Sequence, residues 1–384
     1  MTIDAVELVV LELGLGPIEG ALGVFDRRPV VLVHVVADEG DGWGECGALA
    51  EAAAGDPAVA AVERLLGEVG IPRLLAAARA GGGPLDAAVA PQLFHATAAD
   101  RMMAATLEMA LLDLELRTRS LSFFESIGAT RSPVQVGGLA GIPVDRRVDS
   151  LVAVVAAATE AGSRRVRVKI APGWDIEPMR ALRTRFPDLA LQADANGSYR
   201  LDRGTGPIEW DDDARRLLAL DDLALTCIEQ PLPAPDLAAH VELRRLLATP
   251  IALDESLASP RHVVQALGCG ACDVACLKPA RLGGLLAARR AHDLCLAAGV
   301  PAFVGGLFET GLARGANAAL AGLAGFTLPG DLSAPASYLS PDPFGYPPVA
   351  DGLVRPRTEP GIGPRPDPEL LAACTVSTRR FTAR

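Results

Sequence analysis

The chain has 384 residues, half of them hydrophobic and 22% charged, with a formal net charge of −11. These values describe a globular chain long enough for two domains, or for one large barrel with additions, and exclude a disordered or fibrous polymer. With no basic block longer than a few residues, the chain lacks the cationic stripe that would follow a nucleic-acid backbone.

The first residues carry Asp4 and Glu7 without a basic leader, and no stretch reaches about 18 uncharged apolar residues. The reading is a cytoplasmic protein with neither signal peptide nor membrane span. Seven cysteines form no disulfide framework and are read as reduced. Cys269, Cys272 and Cys276 offer thiolates at metal-ligand spacing but lack a second pair, so they are assigned to packing.

Along the chain, Gly14 to Asp26 reads as a loop, with Pro17 removing an amide that a phosphate cradle would use. Val30 to Ala37 is a β-branched run, and Gly40-Asp41-Gly42 turns it into Trp43-Gly44-Glu45-Cys46 as a hairpin. From about Ala52 to Arg117 the pattern is helical, clearest where Met103, Leu107, Ala110, Leu111 and Leu114 recur at three and four residues. Gly81-Gly82-Gly83 reads as a flexible turn. Strands followed by helices predict an α+β opening domain.

After Gly128 short apolar strands alternate with amphipathic helices: Val134 to Leu139, Arg165 to Ile170, Leu189 to Ala193, Leu225 to Ile228, Ile251 to Leu253, Val274 to Leu277 and Ala302 to Val304. This alternation predicts a parallel β/α architecture, which a doubly wound sheet also satisfies. The count of seven favours a barrel, as do the polar residues recurring at the C-terminal strand ends. The segment beyond Gly330, rich in Pro and Gly, reads as a tail that returns to the first domain. The division expected is 1–125, 126–328 and 329–384.

The strand ends carry the chemistry. Lys169, Asp194, Glu229, Asp254 and Lys278 close five successive strands at intervals of 25, 35, 25 and 24 residues, each about one βα unit. All five therefore converge at one mouth of the barrel. Three carboxylates from neighbouring strands suit a hard cation with open positions, Mg²⁺ or Mn²⁺. A carboxylate substrate beside that ion can lose its α-proton to a lysine whose pKa is lowered by cationic neighbours, Arg167 and the metal. An isolated acidic strand end would instead be a helix cap or loop residue; it is the five in register that point to a site. His34, His95, His240, His262 and His292 are scattered and read as packing or surface residues.

The chain resembles the muconate-lactonizing subgroup of the enolase superfamily, and within it the o-succinylbenzoate synthases and N-succinylamino acid (N-acylamino acid) racemases. The matching segments include Gly42-Trp43-Gly44-Glu45-Cys46, Leu107-Glu108-Met109-Ala110 with Asp113-Leu114, and Lys169-Ile170-Ala171-Pro172-Gly173-Trp174-Asp175. Further on come Asp194-Ala195-Asn196, Ile228-Glu229-Gln230-Pro231-Leu232, Leu253-Asp254-Glu255-Ser256, and Lys278-Pro279 with Arg281-Leu282-Gly283-Gly284. Gly305 to Gly311 and Leu328-Pro329-Gly330-Asp331 complete the set.

The resemblance implies a TIM-like (β/α)7β barrel with an α+β cap, metal ligands Asp194, Glu229 and Asp254, and paired acid/base lysines Lys169 and Lys278. It also implies that Asn196, Gly306, Phe308 and Glu309 line the substrate pocket, with Arg167 and Arg281 beside it. The implied activity is dehydration to o-succinylbenzoate, as in menaquinone biosynthesis, or racemisation of N-succinylamino acids, in a homo-oligomer acting on a small-molecule carboxylate. Other cycloisomerases or epimerases of the subgroup, and a metal-binding barrel without catalysis, are the alternatives. Three departures stand out: Arg167 where the family has Lys, Leu139 where a pocket Ser is expected, and a capping loop without the aromatic pattern associated with succinyl recognition.

Overall fold

The structure is a computed structural model that describes residues 2–20, 23–80, 86–88, 97–201 and 212–382. Gly81-Gly82-Gly83 and His95 fall outside the described residues. A first sheet is built from β1 (Ile3–Gly20), β2 (Gly23–Ala37) and β3 (Gly40–Glu45), all antiparallel. Along β1 the buried Leu11, Leu13 and Leu15 alternate with exposed Glu12, Gly14 and Gly16, the period of a strand with one face on a core. The expected loop from Gly14 to Asp26 is therefore largely strand, since Glu19 pairs with Val24 and Gly14 with Arg27. The other edge of β1 pairs antiparallel with Thr375–Thr382 and Leu339–Ser340.

The helix Ala98–Thr118 packs across the sheet. Thr97 and Asp100 close a reciprocal capping box at its start, and every residue from Met102 to Leu114 is buried, as in a helix enclosed on all sides. Gly42 and Gly44 explain the Gly-Trp-Gly-Glu segment: a Cβ on either would run into the Ala110 or Thr106 carbonyl oxygen, so only glycine lets β3 lie this close to the helix. Trp43 between them stacks on His34 with ring centroids 4.0 Å apart. Asp113, buried in the same helix, accepts from Trp43 N at 3.1 Å and from Ile362 N at 2.7 Å, and so ties helix, hairpin and tail.

The second sheet has seven parallel strands in the order β5 (Gly138–Ala140), β6 (Arg165–Lys169), β7 (Ala190–Asp194), β8 (Ile228–Glu229), β9 (Ile251–Leu253), β10 (Val274–Leu277) and β11 (Ala302–Val304). The predicted first strand splits. Its N-terminal part, β4 (Val134–Gln135), pairs antiparallel with Leu353–Val354 in a separate small sheet, and only β5 joins the barrel. Leu328-Pro329-Gly330-Asp331 bridges the two outer strands: Leu328 N and Asp331 N donate to Ala302 O and Val304 O of β11, and Gly330 O accepts from Gly137 N at 2.8 Å. This four-residue segment curls the sheet toward a barrel.

Glu108 joins cap to barrel. Its Oε1 accepts from Leu286 N at 2.8 Å, while Oε2 has no hydrogen-bond partner and abuts Gly284, where a Cβ would overlap it. Burial pushes its carboxyl up to about 8, against an ordinary value of 4.5. As pH rises from 4.5 to 8 only the unfolded chain releases this proton, so folding stability falls by about 1.4 kcal/mol per pH unit through that window. Glu108→Gln keeps the acceptor and cannot ionise. In urea unfolding, the variant's stability relative to the parent should rise by roughly 2 kcal/mol between about pH 5.5 and 7.5; a difference that does not change with pH refutes this account of Glu108.

Candidate active site

Side chains alternate across β6, so Val166 and Val168 pack outward while Arg165, Arg167 and Lys169 face the barrel interior. A barrel interior is normally filled by branched aliphatic residues. Here it is filled by charge.

Lys169 Nζ donates to Asp194 Oδ2 and Asn196 Oδ1, both at 2.7 Å. Lys278 Nζ donates to Asp254 Oδ2, also at 2.7 Å. Glu229 lies on the strand between those of Asp194 and Asp254, and accepts from Arg167 Nη1 at 2.9 and 3.1 Å and from Gln192 Nε2. The three carboxylate side chains are 0% exposed, whereas Lys169 and Lys278 retain 14% and 8%. The acids thus form the floor and the lysine tips reach the opening.

That opening is a cavity of about 590 Å³, within the range for a small-molecule site. Lys169, Lys278, Arg167, Asn196, Arg281, Gly306 and Phe308 line it, seven of the residues singled out from sequence. Glu309 does not. It is drawn away, accepting from Leu307 N at 2.8 Å and pairing with Arg314 at 2.8 Å, so it supports the loop instead of facing the cavity. Leu139 is in the lining.

Glu229 is the strained member of the acidic floor. Burial pushes its carboxyl up to about 8; Arg167 opposes this, and the neighbouring Asp194 and Asp254 add to it. Oxygen donors crowded in a dry interior are the set a divalent cation relieves. Ligand atoms of Glu229, Asp254 and Cys276 lie within 4.8 Å of one another. Burial holds the Cys276 thiol well above its usual range, so it stays protonated and is a poor partner for a hard ion. Asp194 lies outside this tightest group, with its Oδ2 on Lys169 and, at 3.4 Å, on Arg167. The donor set therefore fits an oxygen-preferring cation.

The expected lowering of lysine pKa is not what surrounds Lys278. Burial pushes its ammonium down, but the Asp254 carboxylate outweighs that and holds it above the ordinary lysine value.

Four supporting residues, Arg28, Asp56, Gln230 and Asp331, were not assigned roles from sequence. Arg281 bridges the two units: it holds Asp56 through Nη2 at 2.7 Å and donates through Nη1 to Asp254. Arg28, 0% exposed, donates to the backbone oxygens of Phe308 and Ala48 at 3.0 and 2.8 Å, fixing the Phe308 loop to the cap. Phe308 has φ of 56°, a conformation that costs a bulky residue of order 1–3 kcal/mol; the Arg28 bond and the Tyr338 ring edge at 5.7 Å hold it there. Asp331 accepts from Arg167 Nη2 and from Gly306 N. Gln230 accepts from Asp254 N at 3.0 Å and Ser256 N at 3.1 Å, which fixes the turn after β9. Asp331 and Gln230 were visible within quoted motifs; Arg28 and Asp56 had no local signal.

The family model described as "Enolase C-terminal domain-like" matches residues 150–370. The N-succinylamino acid racemase of an Amycolatopsis species is 40% identical over 98% of both chains, and the o-succinylbenzoate synthase of Geobacillus kaustophilus is 38% identical over 90% of this chain and 88% of its own. A crystal structure of an enolase superfamily member from Listeria innocua superposes with a TM-score of 0.89 at 29% identity, covering 100% of each chain.

The chain is an enzyme of the enolase superfamily, in the family that holds the o-succinylbenzoate synthases and N-succinylamino acid racemases. Members of that superfamily use a divalent metal ion. Among the described residues no helix is long and apolar enough to cross a membrane.

Proposed function

We propose that this enzyme abstracts the α-proton of a small carboxylate substrate through an ene-diolate, in the manner of an o-succinylbenzoate synthase, an N-succinylamino acid racemase or both. Mg²⁺ is the proposed cofactor, with Asp194, Glu229 and Asp254 as its ligands. The observation that carries this reading is that Lys169 and Lys278 line one cavity, each bonded at 2.7 Å to an acid flanking Glu229. When bound, the cation supplies positive charge beside the substrate carboxylate and so lowers the cost of the charge that develops as the proton leaves.

The residues then divide the work. Asp194 and Asn196 orient the Lys169 amine, which takes the α-proton from one face of the substrate. The Lys278 ammonium faces the same cavity from the far side of the three acidic strands. In a racemase it returns a proton to the second face; in a dehydration it holds the developing charge while Lys169 passes its proton to the departing hydroxide. Arg167 keeps Glu229 in place and, as a guanidinium, takes no part as a base.

For the working division of the chain, 1–125 is the cap, 126–328 the barrel and 329–384 the returning segment. A reduced, cytoplasmic setting is supported by cysteines that are all free.

The test is to supply Mg²⁺ and one enantiomer of an N-succinylamino acid in deuterated water, and in parallel the cyclohexadiene carboxylate precursor of o-succinylbenzoate. Deuterium at Cα with loss of optical rotation establishes the racemase, and formation of the aromatic product establishes the synthase. Neither signal from folded, Mg²⁺-loaded protein removes both readings.

A further inference from the structure

Resting on the racemase reading above, we infer that the cavity has a second, apolar arm that receives an uncharged acyl chain several carbons long on the substrate nitrogen, and that this arm leaves the barrel through its wall instead of its mouth.

The lining of the cavity is not confined to the strand ends. The same space that touches both lysines is also lined by Val154, Ala157 and Ala161, on and just after the helix Val148–Glu160, and by Val349 of the returning segment. That helix lies outside β5: a Cβ on Gly138 would meet the Ala158 Cβ at 3.1 Å. For one cavity to reach both the lysines and the outer helix, it must pass the edge of β5.

The pairing pattern shows where. β5 is laddered to β6 on one side. On its other side, the bonds described between this stretch and the closing segment are those of Gln135, Val136 and Gly137 with Gly330. Among the described residues no backbone bond joins the two past that point, and Ser333 and Ala334 line the same cavity as Gly138 and Leu139. The wall is open where the ladder stops.

Charge decides what fits. Arg167, Arg281 and Arg314, which line the cavity, are each paired with carboxylates, and the two lysines stand at the reacting end. Among the described residues no cation lines the arm, and the serines of the lining on that side are Ser163, Ser333 and Ser337. A terminal carboxylate lodged there would find no cationic partner, whereas methylenes laid along the apolar lining would gain by leaving water.

The measurement is kcat/KM for racemisation of N-acetyl, N-succinyl and N-octanoyl derivatives of one amino acid by the Mg²⁺-loaded enzyme. Each buried methylene contributes up to about fourfold, so octanoyl should exceed acetyl by at least about 30-fold. Ala157 and Ala161 are exposed, so substitution there spares the core. Ala157→Trp, which fills the groove, and Ala161→Glu, which charges it, should each lower the octanoyl-to-acetyl ratio by at least about tenfold. A ratio is insensitive to the fraction of folded protein. If acetyl and succinyl substrates are racemised while octanoyl gains nothing, or if its gain survives both substitutions, the arm is refuted and the racemase stands. If no N-acylamino acid is racemised, the racemase reading fails, and the arm with it.

Discussion

Lys169→Ala and Lys278→Ala should each lower racemisation by at least about 10³-fold while leaving the thermal unfolding midpoint close to that of the parent. A positioned acid or base contributes about 10²–10⁴, and a two-base reaction has no detour around either. Neither change should collapse the site, since Asp254 keeps Arg281 and Asp194 keeps Arg167 as partners. The informative readout is α-proton exchange in deuterated water with a single enantiomer. Lys278→Ala should exchange the α-proton of one enantiomer without inverting it, because Lys169 still removes and returns a proton on its own face. Inversion at the parental rate in either single variant overturns the two-base geometry. For the dehydration, Lys278→Arg should retain part of the rate through its charge. Lys169→Arg should retain none, because only that side chain must give up a proton and a guanidinium does not.

Chelation should have an effect as large. Removing divalent metal with excess EDTA is expected to abolish turnover to at least about 10³-fold below the loaded enzyme, with recovery on adding Mg²⁺ or Mn²⁺. Stability gives a second readout. An ion bound only by the folded chain stabilises it by about 2.7 kcal/mol at a hundred times its Kd, so the unfolding midpoint should climb with Mg²⁺ concentration. In Glu229→Ala that climb should vanish, since the middle carboxylate is gone. Full activity in chelator, or an equal thermal shift in Glu229→Ala, rules out the three-carboxylate site.

Much of this site can be read from the strand ends because a β/α repeat converts sequence spacing into spatial convergence: five residues about one unit apart must meet at one mouth. The residues that hold them are harder to read because their partners lie far away in sequence. Arg281 and Asp56 are separated by 225 positions, and Arg28 and Phe308 by 280. No periodicity within a segment predicts such a pair. Direction was the second limit. Glu309 sits beside pocket-lining Phe308 yet turns toward Arg314, a choice made by a guanidinium, the Leu307 backbone amide and the Asn317 side-chain amide that only the fold assembles. The Gly14 to Asp26 misreading has a third cause: glycine weakens local strand preference, but a long antiparallel partner overrides local preference.

The pairing of β1 with Thr375–Thr382 bears on the order in which the molecule is made. Val6 meets Phe381 only after the whole barrel has been synthesised. Until then the nascent cap carries an uncovered edge strand, a template for pairing with another chain. Contacts this distant in sequence come with slow closure. The barrel, assembled from neighbouring βα units, is suited to form first, and completion of the cap sheet is then the late step in which aggregation competes most directly with folding.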